Sequence, residues 1–246
     1  MKNKIASCVV VLAASAMVLL AAVPAGAVGV SAGASTWYAW WGYTPHQGNG
    51  DFDPGLLYGP VVGIDFAKHW SVTSVFLTGN LGERFDGLPD LRYRRYDSDT
   101  TVGYSFARYF KIFAGFKYVR FDDDSSGGST PIFGSANQNF YTMGPGAGLS
   151  CLVPLTDTLF GILNFSGLYC YGKYKDPSVS DNTKDLGYNI TAAIAWHYAP
   201  ASVTLTLGGR YQYLDSRYDT MTYDSKTKFY GITFSAVYHF RMGDSE

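Results

Sequence analysis

The sequence predicts an all-β protein, an antiparallel up-and-down barrel of about ten strands with eight as the alternative count. Three observations support this prediction. Apolar and polar residues alternate along many segments, short turns alternate with longer loops, and aromatic residues lie near the strand ends. Alternation with a period of two indicates a strand with two chemically different faces. We expect the barrel domain over residues 28–246, after a leader over residues 1–27.

Composition favours a membrane barrel and excludes some functions. The 246-residue chain has a formal net charge of −1, which indicates no surface for nucleic acid. Charged residues make up 16% and aromatic residues 17%, whereas charged residues average about 25% in soluble domains. After the leader, no apolar run approaches the roughly 20 residues of a transmembrane helix. Many strands ending at a membrane interface would explain this composition.

The leader has the three parts of a secretory signal peptide. Lys2 and Lys4 give a positive start, residues 5–23 are apolar, and residues 24–27 offer small side chains for cleavage after Ala27. An uncleaved anchor is the alternative. We expect the cleaved form, with the mature chain exported.

Residues 92–122 show the clearest alternation and predict a hairpin with its turn centred on Arg108. One face of both strands is mainly aromatic or apolar, and the other is small, polar or charged. This register places Lys117 opposite Asp99 and Asp97 opposite Val119. A soluble sheet would bury the apolar face, whereas a transmembrane barrel turns it towards lipid.

The connections sort by length. Short turns are expected at 68–69, 107–109, 154–158 and 199–200, and longer polar loops at 44–54, 82–91, 122–137, 172–185 and 215–227. The two kinds alternate along the chain. Outer-membrane barrels have this topology, with short periplasmic turns and longer external loops.

Aromatic residues fall near both strand ends, as two interfacial belts require. The predicted belt residues are Trp37, Tyr38, Trp40, Trp70, Trp196, Tyr198, Tyr211, Tyr213 and Phe240. We therefore expect the strands to cross the outer membrane of a Gram-negative cell envelope.

The polar faces carry charges that should point into the lumen: Asp65, Arg95, Asp97, Asp99, Lys117 and Arg210. Two interpretations stay open. The charges either fill the interior as a polar plug or line a narrow pore for small solutes. A barrel of this size lies between a filled eight-stranded core and an open channel.

No catalytic, metal or cofactor site is expected. Three of the four histidines map to the turn end, and no Ser–His–Asp set converges on the external rim. The acidic loop from Asp122 resembles the start of a calcium loop, but its twelfth position is Phe133, where a glutamate is needed. The chain is therefore not expected to be an enzyme.

The leader, the repeated hairpins and the final aromatic strand resemble small bacterial outer-membrane barrels of the OmpA-like and OmpW-like kind. The repeated pieces are GFKYVRF after ARYFKIFA and GGRYQYLD after APASVTLTL. The strand ending in Phe240 is similar to the C-terminal signal that the barrel-assembly machinery binds. The resemblance implies outer-membrane lipid and that machinery as partners. It does not identify an extracellular partner.

The expected function is that of a structural, surface-exposed barrel in the outer membrane, with a narrow pore for small solutes left open. A porin-like channel is the first alternative. A soluble periplasmic β-barrel that binds a small ligand is the second.

Overall fold

The structure is a computed structural model that describes residues 28–45, 51–84, 91–123, 139–175, 179–221 and 224–240. These residues form ten long strands and one three-residue strand. Their bounds are β1 (Gly29–Pro45), β2 (Asp51–Asp53), β3 (Gly55–Phe66), β4 (Trp70–Arg84), β5 (Leu91–Ala107), β6 (Phe110–Asp123), β7 (Asn139–Pro154), β8 (Leu159–Lys175), β9 (Ser180–Tyr198), β10 (Val203–Tyr218) and β11 (Ser225–Phe240). The predicted leader lies outside the described residues.

The strands close into an antiparallel, up-and-down barrel. Each long strand pairs with its neighbour in sequence, and β1 pairs with β11 from Val30 opposite Phe240 to Pro45 opposite Ser225. The short β2 pairs with the far end of β4, next to the part of β4 that pairs with β3. Together β2 and β3 form one barrel strand interrupted at Pro54. The predicted fold class and the count of ten are confirmed.

The four predicted short turns all lie at one end of the barrel, which we call the turn side. The turn between β3 and β4 places Ala67 and Lys68 in the left-handed region, with φ of 49° and 63°. The turn between β9 and β10 is a short 3-10 helix, Ala199–Ala201, followed by Ser202 with φ of 51°. No helix among the described residues is long and apolar enough to cross a membrane.

The opposite end is the loop side. Two of the loops predicted there are shorter in the structure than the sequence analysis expected. Strands β8, β9, β10 and β11 run through much of residues 172–185 and 215–227. In β9, Asp181, Thr183 and Asp185 are buried while the residues between them are exposed. Both faces are polar at this level, so no alternation of apolar and polar residues indicates a strand there.

The barrel wall has an apolar outside. Leu56, Leu163, Leu207 and Ile232 point outwards and are 50–60% exposed. Every long strand carries at least one exposed large apolar or aromatic side chain, whereas the inward positions carry small, polar and charged residues outside one apolar cluster. In water such a surface would be unfavourable by about 25 cal/mol for each Å².

Closure of the barrel can be tested by cross-linking β1 to β11. Ser35 and Ser235 are directly opposite, at the Cα separation of about 4.5–5.5 Å that antiparallel partners have. With Cys151 and Cys170 replaced, Ser35→Cys with Ser235→Cys should form a disulfide upon mild oxidation, seen as a shift in electrophoretic mobility.

The matched control is Ser35→Cys with Thr233→Cys, because Thr233 lies two residues out of register. Diagonal partners are about 7–8 Å apart, beyond easy disulfide reach. Equal cross-linking of both pairs would contradict the register.

Candidate functional site

The lumen is the candidate site, and it has three levels. Nearest the loop side is an aromatic plug, formed by Trp37, Trp41, Phe121 and Phe229. Below it lies a charge cluster, formed by Arg95, Asp97, Asp99, Lys117 and Arg210. A polar chamber follows towards the turn side. Arg95 of the cluster contacts the plug, and three other members of the cluster also line the chamber.

The aromatic plug is packed inside the barrel. Phe229 stacks on Trp41 with ring centroids 6.1 Å apart and on Phe121 at 5.8 Å. Trp37 meets Phe229 edge to face at 6.3 Å, and both side chains are fully buried. Buried aromatic pairs in such geometries contribute beyond the burial of their area. The plug therefore holds one packed arrangement across the barrel.

The predicted place of Trp37 in an interfacial belt is wrong. Its side chain is fully buried inside the barrel, on the same face of β1 as Ser31 and Ser35. Its neighbours Tyr38 and Trp40 do point outwards. Strict alternation along the strand assigns Trp37 to the inside, although its position near the strand end resembled that of a belt residue.

Arg95 joins the plug to the charge cluster. Its Cζ lies 3.9 Å from the ring centroid of Phe229 and 5.0 Å from that of Trp37. Its Nη2 donates to Asp97 Oδ2 and, at 2.9 Å, to Gln212 Oε1. A guanidinium over an aromatic face is attracted by the ring quadrupole, most strongly where water is excluded.

Asp97 is the centre of the charge cluster. One carboxylate oxygen accepts from Arg95 and the other from Lys117. The predicted pairing of Lys117 opposite Asp99 is confirmed, but Lys117 Nζ lies 3.5 Å from Asp99 and closer to Asp97. The long lysine side chain reaches its diagonal neighbour, as cross-strand pairs allow.

Arg210 completes the cluster from the opposite wall. Its Nη2 is 3.8 Å from Asp99 Oδ2, and its Nε donates to Asn189 Oδ1 at 3.1 Å. Its Cζ also lies 4.6 Å from the ring centroid of Trp37. The structure therefore brings together five of the six lumen charges singled out in the sequence. Asp65 is apart from them, exposed at the turn end, where it pairs in register with Gly29 and Ser71.

The other belt residues lie on the outer wall. Tyr38, Trp70, Trp196, Tyr198 and Phe240 are 41–48% exposed. Trp40 stacks on Tyr230 with centroids 6.0 Å apart, and Tyr211 and Tyr213 both contact Tyr188. These side chains form clusters near both ends of the outer wall.

Sequence reasoning missed several polar partners inside the barrel. Thr204 bridges two histidines at the turn side, with Oγ1 3.1 Å from His197 Nδ1 and 2.8 Å from His239 Nε2. Gln212 and Asn189 bond the two arginines of the cluster. Strand parity places all of them inside, but only the barrel's curvature shows which ones meet. Among the described residues, no group of three acidic, histidine or cysteine side chains could hold a metal ion.

Comparisons with known proteins identify the fold. No family model matches the chain, and no curated protein matches it. Among solved structures, the chain is similar to the outer membrane protease OmpT from Escherichia coli, with 13% sequence identity and a TM-score of 0.56. The match covers 86% of this chain and 97% of the OmpT chain. The chain is also similar to the β domain of the Bordetella autotransporter BrkA, with 9% identity, a TM-score of 0.47 and coverage of 88% and 100%.

At these identities the likeness extends to the fold alone. The protein has the fold of a small outer-membrane β-barrel, a closed wall of ten antiparallel strands. The likeness does not extend to the lumen contents, because the plug and the charge cluster depend on individual side chains.

The charge cluster predicts an unequal effect of removing its two carboxylates. Asp97→Asn leaves Arg95 and Lys117 buried without their shared anion and should lower the free energy of unfolding by about 3 kcal/mol. Asp99→Asn is the matched control: the Asp99 side chain is 27% exposed and its contacts are longer, so the loss should stay below about 1 kcal/mol. Urea unfolding in lipid vesicles measures both, and equal losses would contradict the central role of Asp97.

Proposed function

We propose that this protein is an integral outer-membrane β-barrel that serves as a structural, surface-exposed scaffold and does not conduct solutes. A leader over residues 1–27, cleaved after Ala27, would export it, and the barrel-assembly machinery would insert it. Outer-membrane lipid would cover the apolar outer wall. The strands that extend beyond the loop-side belt would stand outside the membrane.

The apolar outer wall is the observation that supports the membrane location. Its large side chains are half exposed along every strand, with aromatic clusters above and below. Lipid is a favourable environment for such an apolar wall. Closure of the barrel pairs the backbone hydrogen-bonding groups, which lipid could not do. A soluble ligand-binding barrel would carry polar residues there instead.

The aromatic plug is the observation that supports the non-conducting role. Trp37, Phe229 and Arg95 are fully buried across the lumen. Solutes could pass only if these side chains moved, which would break the ring stacking and the Arg95–Asp97 ion pair together. A channel is the second candidate, and the hollow chamber below the charge cluster is the feature that favours it.

The membrane location predicts a depth-dependent cost for charge on the outer wall. Leu207 is 60% exposed near the middle of the apolar band, so Leu207→Arg should destabilise the barrel by about 2–4 kcal/mol in vesicles. Asn182→Arg is the control, since Asn182 is exposed on the loop-side extension of β9. There the cost should fall to about 0–1 kcal/mol. Equal, small effects would refute the transmembrane proposal.

The closed lumen predicts electrical silence in planar bilayers. The purified, folded wild type should give no discrete conductance steps. Trp37→Ala with Phe229→Ala removes the two fully buried rings of the plug and should produce steps. Trp40→Ala with Tyr230→Ala removes a stacked pair from the outer wall and should stay silent. Conductance steps from the wild type would overturn the scaffold role and favour the channel.

A further inference from the structure

The turn-side chamber is a cavity of about 290 Å³ below the charge cluster. Hydroxyl, amide and charged side chains make up twelve of its nineteen lining residues, and Phe113 and Phe116 are its aromatic members. The volume is near the lower end of known ligand sites. At about 30 Å³ for each water molecule, the chamber has room for a small solute with some water.

One row of the barrel wall runs across this chamber from one cation to another. Residues that are directly opposite on neighbouring strands follow in the order Lys111, Ser150, Asn164, Thr191 and Arg210. All five line the cavity. The row therefore offers two positive ends separated by three small neutral side chains, each able to donate a hydrogen bond.

The charges around the chamber do not balance. Three cations, Lys111, Lys117 and Arg210, line the chamber with one carboxylate, that of Asp99. The other buried acids inside the barrel, Asp97, Asp181 and Asp185, do not line it. Lys111 Nζ donates to a neutral oxygen, Ser71 Oγ, at 2.9 Å. The Asp97 carboxylate is already used by Arg95 and Lys117. The residues that line the chamber therefore carry two more positive than negative charges, and a bound anion would reduce the repulsion between the cations.

The nearby side chains leave room for Lys111 to reach into the chamber. Gly103 lies beside it, and a Cβ on Gly103 would come within 2.6 Å of Lys111 Cδ. Any larger residue at position 103 would force the lysine to move. The remaining acid at this end, Asp65, is exposed at the mouth of the barrel, where solvent screens it.

We infer that the chamber binds a small oxyanion, a phosphate or carboxylate group, between Lys111 and Arg210, entering from the turn side. The two cations supply charge-assisted hydrogen bonds, and Ser150, Asn164 and Thr191 donate to the remaining oxygens. Because the aromatic plug lies beyond, the chamber is a blind pocket. The inference does not depend on whether the barrel conducts.

Titration of the folded, full-length barrel with inorganic phosphate and with succinate tests this site. Sodium chloride keeps the ionic strength constant, and tryptophan fluorescence reports binding because Arg210 lies against Trp37. We expect a saturable change with phosphate, succinate or both, and none with chloride alone. The comparison of the two anions identifies whether phosphate or carboxylate is preferred.

Variants locate the site. Lys111→Gln should weaken the affinity about tenfold or more, because it removes a charged donor, whereas Lys111→Arg should retain binding. Arg210→Gln should weaken it similarly. Lys68→Gln is the control for charge, since Lys68 is exposed in a turn at the same end, and it should bind as the wild type does. The inference is wrong if no anion gives a saturable change, or if Lys111→Gln binds as tightly as Lys68→Gln.

Discussion

The ion pairs around Asp97 are the interaction on which the interior depends. A single carboxylate holds Arg95 from one side and Lys117 from the other, and all three side chains are buried. Arg95 in turn lies over Phe229 and Trp37, so the orientation of the plug follows from that carboxylate. Gln212 provides Arg95 with a second acceptor, which offsets part of the cost of burying its charge.

The barrel wall is one layer of residues with a different environment on each face. Outward positions meet lipid in the proposed location, and inward positions meet the plug, the cluster or the chamber. Because the side-chain period is two, a register slip of one residue would exchange the faces. Closure of β1 on β11 prevents this and leaves no exposed edge.

The lumen is unequal along its length, and this asymmetry matters for function. The loop-side half is filled by rings and the turn-side half is hollow and positively charged. In our inference the hollow half holds a small oxyanion between Lys111 and Arg210, and only Arg210 of these two belongs to the charge cluster.

The sequence by itself determined the fold class, the four short turns and the register of Asp99 with Lys117, because alternation and turn residues are local signals. It also singled out the lumen charges, since parity along a strand assigns each residue to a face. The prediction misplaced Trp37 and made β8 to β11 too short. At these positions the polarity of a side chain does not indicate whether it faces inwards or outwards. Only the tertiary structure decided that Arg210 meets Asp99 and that Arg95 lies on Phe229. Those contacts join strands on different sides of the barrel. Local sequence patterns do not indicate which inward side chains meet across the lumen.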